Sequence, residues 1–259
     1  MLQLIAIGFA VPVGLGIGSF LNVVIDRVPS GQSLLWPPSH CPNCQRRIPT
    51  VDLVPVMSYL WLRGRCRFCR SSIPGRIPLV EAGAAALFAL VVFFLGFTPT
   101  SLVLAATACL FLVLFIIDLE RQIIPNSLVL PGTLAVFLLF PLGVGDEWGI
   151  GEAYLRALAG IGMGFGVMLA IYLIARGGMG AGDVKLGALV GAAIGFPYVL
   201  PTLVIAFLLG GVTGIALLAL RLRGRKDAVP FGPYLAGAAL AALFFGGTLQ
   251  GWYSDLVLG

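Results

Sequence analysis

Residues 102–117 are LVLAATACLFLVLFII and are followed by Asp118, so one acidic side chain closes a long apolar stretch. The whole chain has this apolar character. Of 259 residues, 59% are hydrophobic and 10% are charged, with a mean hydropathy of +1.03, whereas soluble domains have about 45–50% apolar and about 25% charged residues. Sixteen basic and eleven acidic residues cannot cover a soluble globule of this size. The composition excludes a water-soluble enzyme, a nucleic-acid-binding protein and a disordered tail, and it predicts an all-α polytopic membrane protein.

Apolar stretches recur along the chain at the length that membrane crossing requires, since a spanning helix needs about 20 mostly apolar residues and tolerates somewhat fewer. The sequence predicts about eight transmembrane helices, at residues 2–24, 79–95, 102–117, 128–144, 154–175, 184–199, 202–220 and 231–249. Glycines spaced by four residues are typical of closely packed membrane helices. Five such pairs are Gly14/Gly18, Gly160/Gly164, Gly162/Gly166, Gly187/Gly191 and Gly210/Gly214.

The positions of the basic residues predict the orientation in the membrane. Residues 26–78 carry eight of the sixteen. With this segment in the cytoplasm and eight alternating spans, fifteen of the sixteen lie inside and Arg156 alone lies outside, in agreement with the positive-inside rule. Both termini are then expected outside. Eight arginines and two aspartates give the 26–78 segment a net charge of +6, so its expected partner is a bilayer with anionic headgroups rather than nucleic acid.

Four of the five cysteines form two C-x-x-C pairs with 21 residues between the pairs. The four are Cys41, Cys44, Cys66 and Cys69. Two such pairs are typical of a closed tetrahedral zinc site with a structural role, because four thiolates leave no position for water. The alternative is a pair of disulfides, which are rare in the predicted cytoplasmic location. The fifth cysteine, Cys109, is expected to pack as a small apolar residue inside a span.

Three acidic side chains lie in or beside the predicted spans, namely Glu81, Asp118 and Asp183. Ionisable groups are costly there and are functional candidates. The predicted orientation puts Asp118 and Asp183 at the same cytoplasmic depth on different helices. Two carboxylates that share one proton can act as a base toward water and as an acid toward a carbonyl. This pair therefore fits the requirement of aspartyl proteolysis.

Asp183 lies in a glycine-rich stretch that is predicted to support the active site, because glycine permits unusual dihedrals and a close approach of substrate backbone. The supporting residues are Gly178, Gly180, Gly182 and Lys185. In the alternative interpretation both aspartates are only interfacial charges, with Asp118 paired to Arg121 and Asp183 paired to Lys185. The two aspartates taken together with the glycines favour catalysis.

Several motifs follow one another in the order found in type IV prepilin peptidases, the GxGD intramembrane aspartyl proteases of type IV pilus and type II secretion systems. They are GSFLNVVI at 18–25, the paired C-x-x-C segment, PLVE at 78–81, Asp118 with Ile124 and Pro125, GMGAGDVKL at 178–186 and FGPYL at 231–235. The chain resembles this family over nearly its whole length. Archaeal preflagellin peptidases are similar in the aspartate motifs but lack the cysteine segment, so the bacterial bifunctional branch is favoured.

The resemblance implies an enzyme of the bacterial inner membrane that removes the basic leader of prepilins and pseudopilins at the cytoplasmic face. It also implies N-methylation of the new amino terminus with S-adenosylmethionine. By motif position, Asp118 and Asp183 are the catalytic pair. No soluble cofactor-binding fold is visible, so the methyl-donor site is expected in the cytoplasmic segment and nearby helix ends, with Glu81 as its candidate residue. The alternative for Glu81 is a carboxylate that caps a helix N-terminus. Further candidates are Asn22, Asp26 and Arg27.

The predicted organisation has three parts. Residues 1–25 form the first transmembrane helix, 26–78 the cytoplasmic four-cysteine zinc segment associated with the methyltransferase, and 79–259 a seven-helix membrane aspartyl peptidase domain. Two other functions remain open on the sequence. A proton- or cation-coupled transporter could use the two carboxylates, although such carriers place charges near the bilayer midplane and often contain inverted repeats. A zinc-dependent membrane adaptor would need neither aspartate.

Overall fold

The computed structural model describes residues 2–175, 179–221 and 230–258, with the side chains of residues 2, 140, 142–148 and 246–258 left aside. Over these ranges the chain is helical, and its β-structure is limited to two isolated bridges. The chain divides into two compact units, Met1–Ser101 and Leu102–Gly259. The three-part organisation expected from the sequence concerns membrane topology and stays a prediction.

Nine helices occur in the described ranges, together with two 3₁₀ turns. The first unit contains α1 (Leu2–Arg27), the turns Val28–Ser30 and Thr50–Leu53, α2 (Met57–Trp61) and α3 (Arg76–Leu95). The remaining helices are α4 (Pro99–Arg121), α5 (Asn126–Trp148), α6 (Ile150–Ile174), α7 (Ala181–Ile194), α8 (Val199–Ala219) and α9 (Gly232–Leu258). Each of the eight predicted spans overlaps one of the eight helices other than α2.

The predicted span 184–199 ends too late, because α7 stops at Ile194. Gly195 follows with φ of +73°, a left-handed conformation that glycine adopts without strain, and its N–H donates to the Gly191 carbonyl. Pro197 then lacks the N–H that a continuing helix needs. Gly195 and Pro197 therefore end the helix at Ile194, although the apolar composition of the following residues extended the predicted span to residue 199.

The prediction of a multi-pass membrane protein is confirmed, because several helices have the length and composition to span a membrane. Within the described ranges, five helices are long and apolar enough to cross a membrane, namely α1, α3, α4, α6 and α8. Helix α7 has 14 residues and extends about 21 Å, short of the ~30 Å hydrocarbon core. The apolar stretches with described side chains in α5 and α9 are Asn126–Leu139 and Gly232–Phe245. Eight complete spans remain a prediction.

The short helix α7 supplies most of the core of the second unit. Nine of its residues are buried, and Leu186, Leu189 and Val190 are fully enclosed. Side chains from α4, α5, α6, α8 and α9 pack in the same cluster, including Phe111 and Leu235. Because α7 is surrounded in this way, its first turn is fixed in position, and that turn carries Asp183.

Close helix packing through glycine occurs at three of the five predicted pairs. In the first unit, a Cβ on Gly14 or Gly18 would lie 2.6 Å from the Cα of Ala85 or Glu81, so α1 rests on the backbone of α3. In the second unit, Gly160 and Gly164 of α6 contact Gly191 and Gly187 of α7. Gly162 and Gly166 face open space, and so does Gly214 of the fifth pair. The four-residue spacing alone does not identify which glycines lie at an interface.

Gly191→Ala is expected to destabilise the second unit, because the added methyl group would overlap the Gly160 carbonyl of α6. Backbone cannot move aside as a side chain can, so we expect a cost of about 1–3 kcal/mol. Gly162→Ala is the matched control, since it adds a methyl group in open space and removes the helix penalty of glycine. Thermal unfolding in detergent should give a lower Tm for Gly191→Ala only; equal Tm values would contradict this packing.

Candidate active site and metal centre

Asp183 lies in the first turn of α7, where the start of the helix fixes its carboxylate. Gly180 is the N-cap residue with an extended backbone, and its N–H donates to Oδ2 of Asp183 at 3.2 Å. Asp183 is thus the third helical residue in a capping arrangement, and it is 7% exposed. The sequence therefore positions this carboxylate through the cap rather than through a salt bridge.

Asp118 lies three residues before the end of α4 and is 5% exposed. Its carboxylate faces the start of α9, where the backbone of Gly232 hydrogen-bonds to it. Among the described residues, Oδ2 of Asp118 has no hydrogen-bond partner. A buried acceptor without a partner is costly, so this atom is suited to a proton, a water molecule or a substrate group.

The structure brings the two aspartates together as buried groups of the same unit. Asp118 lies near enough to Asp183 for the two charges to interact. The alternative pairing of Asp183 with Lys185 is not observed, because the Lys185 ammonium donates to Oδ1 of Asn126 at 2.8 Å. Lys185 therefore links α7 to the start of α5 and leaves Asp183 to the Gly180 N–H.

The glycines before Asp183 have different environments. A Cβ on Gly182 would lie 2.9 Å from the Cβ of Ile124, so this position needs glycine for the approach of α7 to the segment after α4. A Cβ on Gly180 would meet only the Asp183 carboxylate, at 3.4 Å, and the Gly182 nitrogen, at 3.9 Å. Gly178 lies outside the described residues. The close approach is therefore made to Ile124 within this chain.

Gly232 is a site residue that sequence reasoning missed. A Cβ there would lie 2.6 Å from Oδ2 of Asp118 and 2.9 Å from Cγ. The segment 231–235 contributed to the family resemblance, but nothing in its composition indicates contact with a residue more than a hundred positions earlier. Only the packing of α9 against α4 reveals why this position is glycine.

The cysteine pairs of the first unit form two knuckles with the same backbone pattern. Both contain C-x-x-C-x-x-x-I-P, from Cys41 and from Cys66. In each, the first cysteine donates its N–H to a carbonyl five residues later, at 3.0 Å and 2.8 Å. The residue after the second cysteine is left-handed in both, Gln45 at φ +56° and Arg70 at φ +61°. The segment is therefore an internal repeat, which the sequence interpretation did not identify.

The four knuckle sulfurs converge on one point. All four Sγ atoms lie within 4.8 Å of one another, and those of Cys41 and Cys69 are 3.8 Å apart. Sulfurs about 2.3 Å from a tetrahedral zinc are about 3.8 Å apart. The cysteines of the described chain are free thiols, so the disulfide alternative is not observed. The cluster therefore has the donor set and spacing of a four-cysteine metal site.

The knuckle also provides hydrogen bonds that stabilise thiolates. The Ser71 hydroxyl lies 3.1 Å from Sγ of Cys69 and 3.6 Å from Sγ of Cys41. Hydrogen bonds from Ser71 lower the pKa of Cys69 to about 6. Although the Arg46 N–H acts to lower it, burial and the neighbouring sulfurs raise the pKa of Cys44 to about 11. Four thiolates in one cluster therefore need a cation, and a bound metal supplies that charge.

Glu81 does not cap a helix, since it is the sixth residue of α3. It is 5% exposed, and its Oε2 accepts the Val56 N–H at 2.7 Å. Val56 has φ of +59° and ψ of −50°, and the Met57 N–H bonds to the Pro55 carbonyl at 2.6 Å. This is the rare, strained form of γ-turn, and it is unusual for a β-branched residue. A strained turn therefore directs an N–H to the carboxylate.

The fold and the sites define a class of protein: a multi-pass helical membrane protein with two buried aspartates and a four-cysteine cluster. The bacterial peptidase A24 N-terminal domain model matches residues 13–95, and the type IV leader peptidase family model matches residues 104–215. The chain belongs to the type IV leader peptidase family and is an enzyme, a peptidase with a methyltransferase activity.

Curated relatives match over most of the chain and share one name, prepilin leader peptidase/N-methyltransferase. The protein of Aeromonas salmonicida (strain A449) is 36% identical over 93% of this chain and 91% of its own length. That of Pseudomonas putida is 34% identical over the same shares. That of Pseudomonas aeruginosa is 31% identical over 93% and 90%. No solved structure matches the chain significantly.

Proposed function

We propose that this enzyme cleaves the basic leader from type IV prepilins and pseudopilins at the cytoplasmic face of the bacterial inner membrane, using Asp118 and Asp183. The buried carboxylate pair carries the proposal, because two buried acids at helix ends make no salt bridge among the described residues. Their position near helix termini argues against the transporter alternative, which needs charge near the midplane. The names of the curated relatives support the substrate class.

The two carboxylates would share one proton during catalysis. Oδ2 of Asp183 already accepts the Gly180 N–H, while Oδ2 of Asp118 lacks a donor. We therefore assign the shared proton to Oδ2 of Asp118, from which it protonates the scissile carbonyl. Asp183 takes a proton from water as the water oxygen bonds to the carbonyl carbon. As the C–N bond of the tetrahedral intermediate breaks, protonated Asp183 gives its proton to the leaving amine. One hydroxyl of the intermediate returns its proton to Asp118 as the new carboxyl group forms.

The proposed topology follows the distribution of arginine. The 26–78 segment and the catalytic aspartates lie on the cytoplasmic side, both termini lie outside, and anionic headgroups contact the arginines of the segment. A prepilin whose hydrophobic helix lies in the bilayer would present its leader junction to a cytoplasmic active site at the membrane edge. Cysteine labelling of the 26–78 segment in right-side-out and inverted membrane vesicles tests this orientation; labelling from outside in sealed cells would contradict it.

The methyltransferase activity is proposed to transfer the methyl group of S-adenosylmethionine to the new N-terminal amine of the pilin. When bound, the donor supplies an activated methyl group on its sulfonium. Glu81 is the proposed contact residue, supported by its burial and by the strained turn at Val56 that fixes its carboxylate. Zinc at the four cysteines would hold the segment that carries Val56.

One zinc ion per chain is expected in protein purified under reducing conditions, and Cys44→Ser or Cys69→Ser should abolish its binding. Each substitution removes one of four converging thiolates. Cys109→Ser is the matched control, because Cys109 is a buried cysteine of α4 that is not among the four converging thiols. Elemental analysis of the purified variants measures the zinc content. Metal-free wild-type protein, or zinc retained in both knuckle variants, would contradict the site.

A further inference from the structure

The chain between α1 and α3 contains both cysteine knuckles and is called the knuckle segment. The first unit contains a cavity of about 550 Å³ between this segment and the helices α1 and α3. Its lining includes Asn22 of α1, Tyr59 of α2, Glu81 of α3 and the first cysteine of each knuckle. Small-molecule sites have volumes of about 300–1,000 Å³ and few, well-placed polar groups. This cavity therefore has the size of a site for one nucleoside-type ligand.

Asn22 is a buried polar side chain of the cavity lining that can accept a further hydrogen bond. It is 6% exposed, and its Nδ2 donates to the carbonyls of Gly18 and Ile77 at 3.2 Å and 3.1 Å. These two bonds fix the direction of the amide. Its Oδ1 is buried and has no partner among the described residues. A buried acceptor in this state predicts a donor that the chain does not supply.

Glu81 is a second such side chain, because its carboxylate can accept further hydrogen bonds. The Val56 N–H and the Ser19 hydroxyl occupy part of its hydrogen-bonding capacity, and a carboxylate can accept about four bonds. The arginines that line the cavity are engaged elsewhere, and one of them, Arg46, lies over the Phe68 ring at 5.2 Å from its centroid. Arg67 pairs with Asp52 and Arg76 with Asp26, while Arg27 donates to two backbone carbonyls. Glu81 makes no salt bridge within the described chain, although it is buried.

A buried carboxylate without a counter-charge favours a ligand that brings a cation, and the orphan amide oxygen favours one that brings an N–H donor. S-adenosylmethionine has a cationic sulfonium, an ammonium group and an adenine amine. From these observations we infer that this cavity binds S-adenosylmethionine, with the Glu81 carboxylate as counter-charge to its sulfonium and Asn22 Oδ1 as acceptor for one of its N–H groups. The inference rests on the methyltransferase part of the proposed function and assigns its site.

The position of Val56 explains how the knuckle segment and the cavity are connected. The γ-turn at Val56 lies between the two cysteine pairs and donates to Glu81. Backbone strain of this kind persists only where the surrounding structure imposes it. One cysteine pair lies before Val56 and the other after it, and α2 begins at the next residue, Met57. We assign the constraint to these elements, so Val56 is a positioning residue for the Glu81 carboxylate.

The test compares two analogues of similar size that differ in charge. Sinefungin has an amine in place of the methylated sulfur, whereas S-adenosylhomocysteine has a neutral thioether there. Isothermal titration of each ligand into the full-length enzyme in detergent gives the ratio of their affinities. Glu81→Gln keeps the side-chain volume and an acceptor for the Val56 N–H but removes the charge. We expect it to weaken sinefungin binding at least about tenfold and S-adenosylhomocysteine binding much less.

Glu152→Gln is the matched control, since Glu152 pairs with Arg156 on α6 in the other unit and should leave both affinities unchanged. Prepilin cleavage by each variant reports that it is folded. An unchanged affinity ratio in Glu81→Gln would overturn the inference and leave the proposed methyltransferase activity standing. A wild-type enzyme that cleaves prepilin but binds neither analogue would overturn both.

Discussion

Asp118→Asn and Asp183→Asn are each expected to lower prepilin cleavage by about 10²–10⁴-fold or more, while both variants insert and fold. An amide has the volume of the carboxylate, and at position 183 its oxygen can still accept the Gly180 N–H. It can neither take a proton from water nor carry the acid proton that Oδ2 of Asp118 is proposed to hold. Cleavage should therefore fail although the packing around α7 is retained.

The measurement is the rate of leader removal from a purified prepilin, with the Tm of each variant as the check on folding. Glu120→Gln is the matched control, because Glu120 lies two residues after Asp118 on the same helix but is exposed. Its cleavage rate should remain near that of the wild type. Full processing by either aspartate variant would refute the aspartyl mechanism.

Gly232→Ala is expected to reduce cleavage by about 10²-fold without changing any charged or polar side chain. The added methyl group would lie 2.6 Å from Oδ2 of Asp118, closer than real Cβ atoms approach other heavy atoms. Either the carboxylate turns or the start of α9 moves. A displacement of about 1 Å in a catalytic group can cost this much in rate.

Gly237→Ala provides the comparison for this substitution. It lies on the same helix, and a Cβ there would meet only the Phe115 ring, at 3.9 Å, an ordinary contact. Both variants replace a glycine of α9 by alanine, and only the one at position 232 would contact Asp118, so a loss of cleavage confined to Gly232→Ala reports that contact. Equal cleavage rates in the two variants would show that Gly232 does not position the carboxylate.

The helices could be predicted from the sequence because membrane crossing demands a long apolar stretch, and each predicted span overlaps a helix. The end of α7 could not be predicted from composition, since residues 195–199 are mostly apolar or neutral and only Gly195 and Pro197 mark the stop. The length of α7 also matters for topology. Because α7 has only 14 residues and its side chains pack against other helices, it differs from a helix that crosses the membrane on its own.

The residues that carry the chemistry of the sites could be predicted from the sequence, whereas the residues that position them could not. The four cysteines follow from spacing alone, and their sulfurs converge as predicted. Asp118 and Asp183 could be selected because acidic groups are rare in apolar helices. Gly232 and Val56 could not, because a contact across more than a hundred residues and a γ-turn at a β-branched residue have no local sequence signature.

Glu81 shows how the structure changes an interpretation. The sequence allows a capping role, since Glu81 lies near the start of a predicted span. In the structure its carboxylate accepts an N–H from a residue 25 positions earlier. Burial and a tertiary partner therefore favour a binding role over local helix stabilisation.

The mass of a prepilin N-terminal peptide after incubation with the purified enzyme and S-adenosylmethionine tests both activities at once. We expect the peptide to lose its leader and then to gain one methyl group on the new amino terminus. We also expect Asp118→Asn to leave the peptide intact. A peptide whose mass is unchanged by the folded, zinc-loaded wild-type enzyme would show that the protein is not a prepilin peptidase.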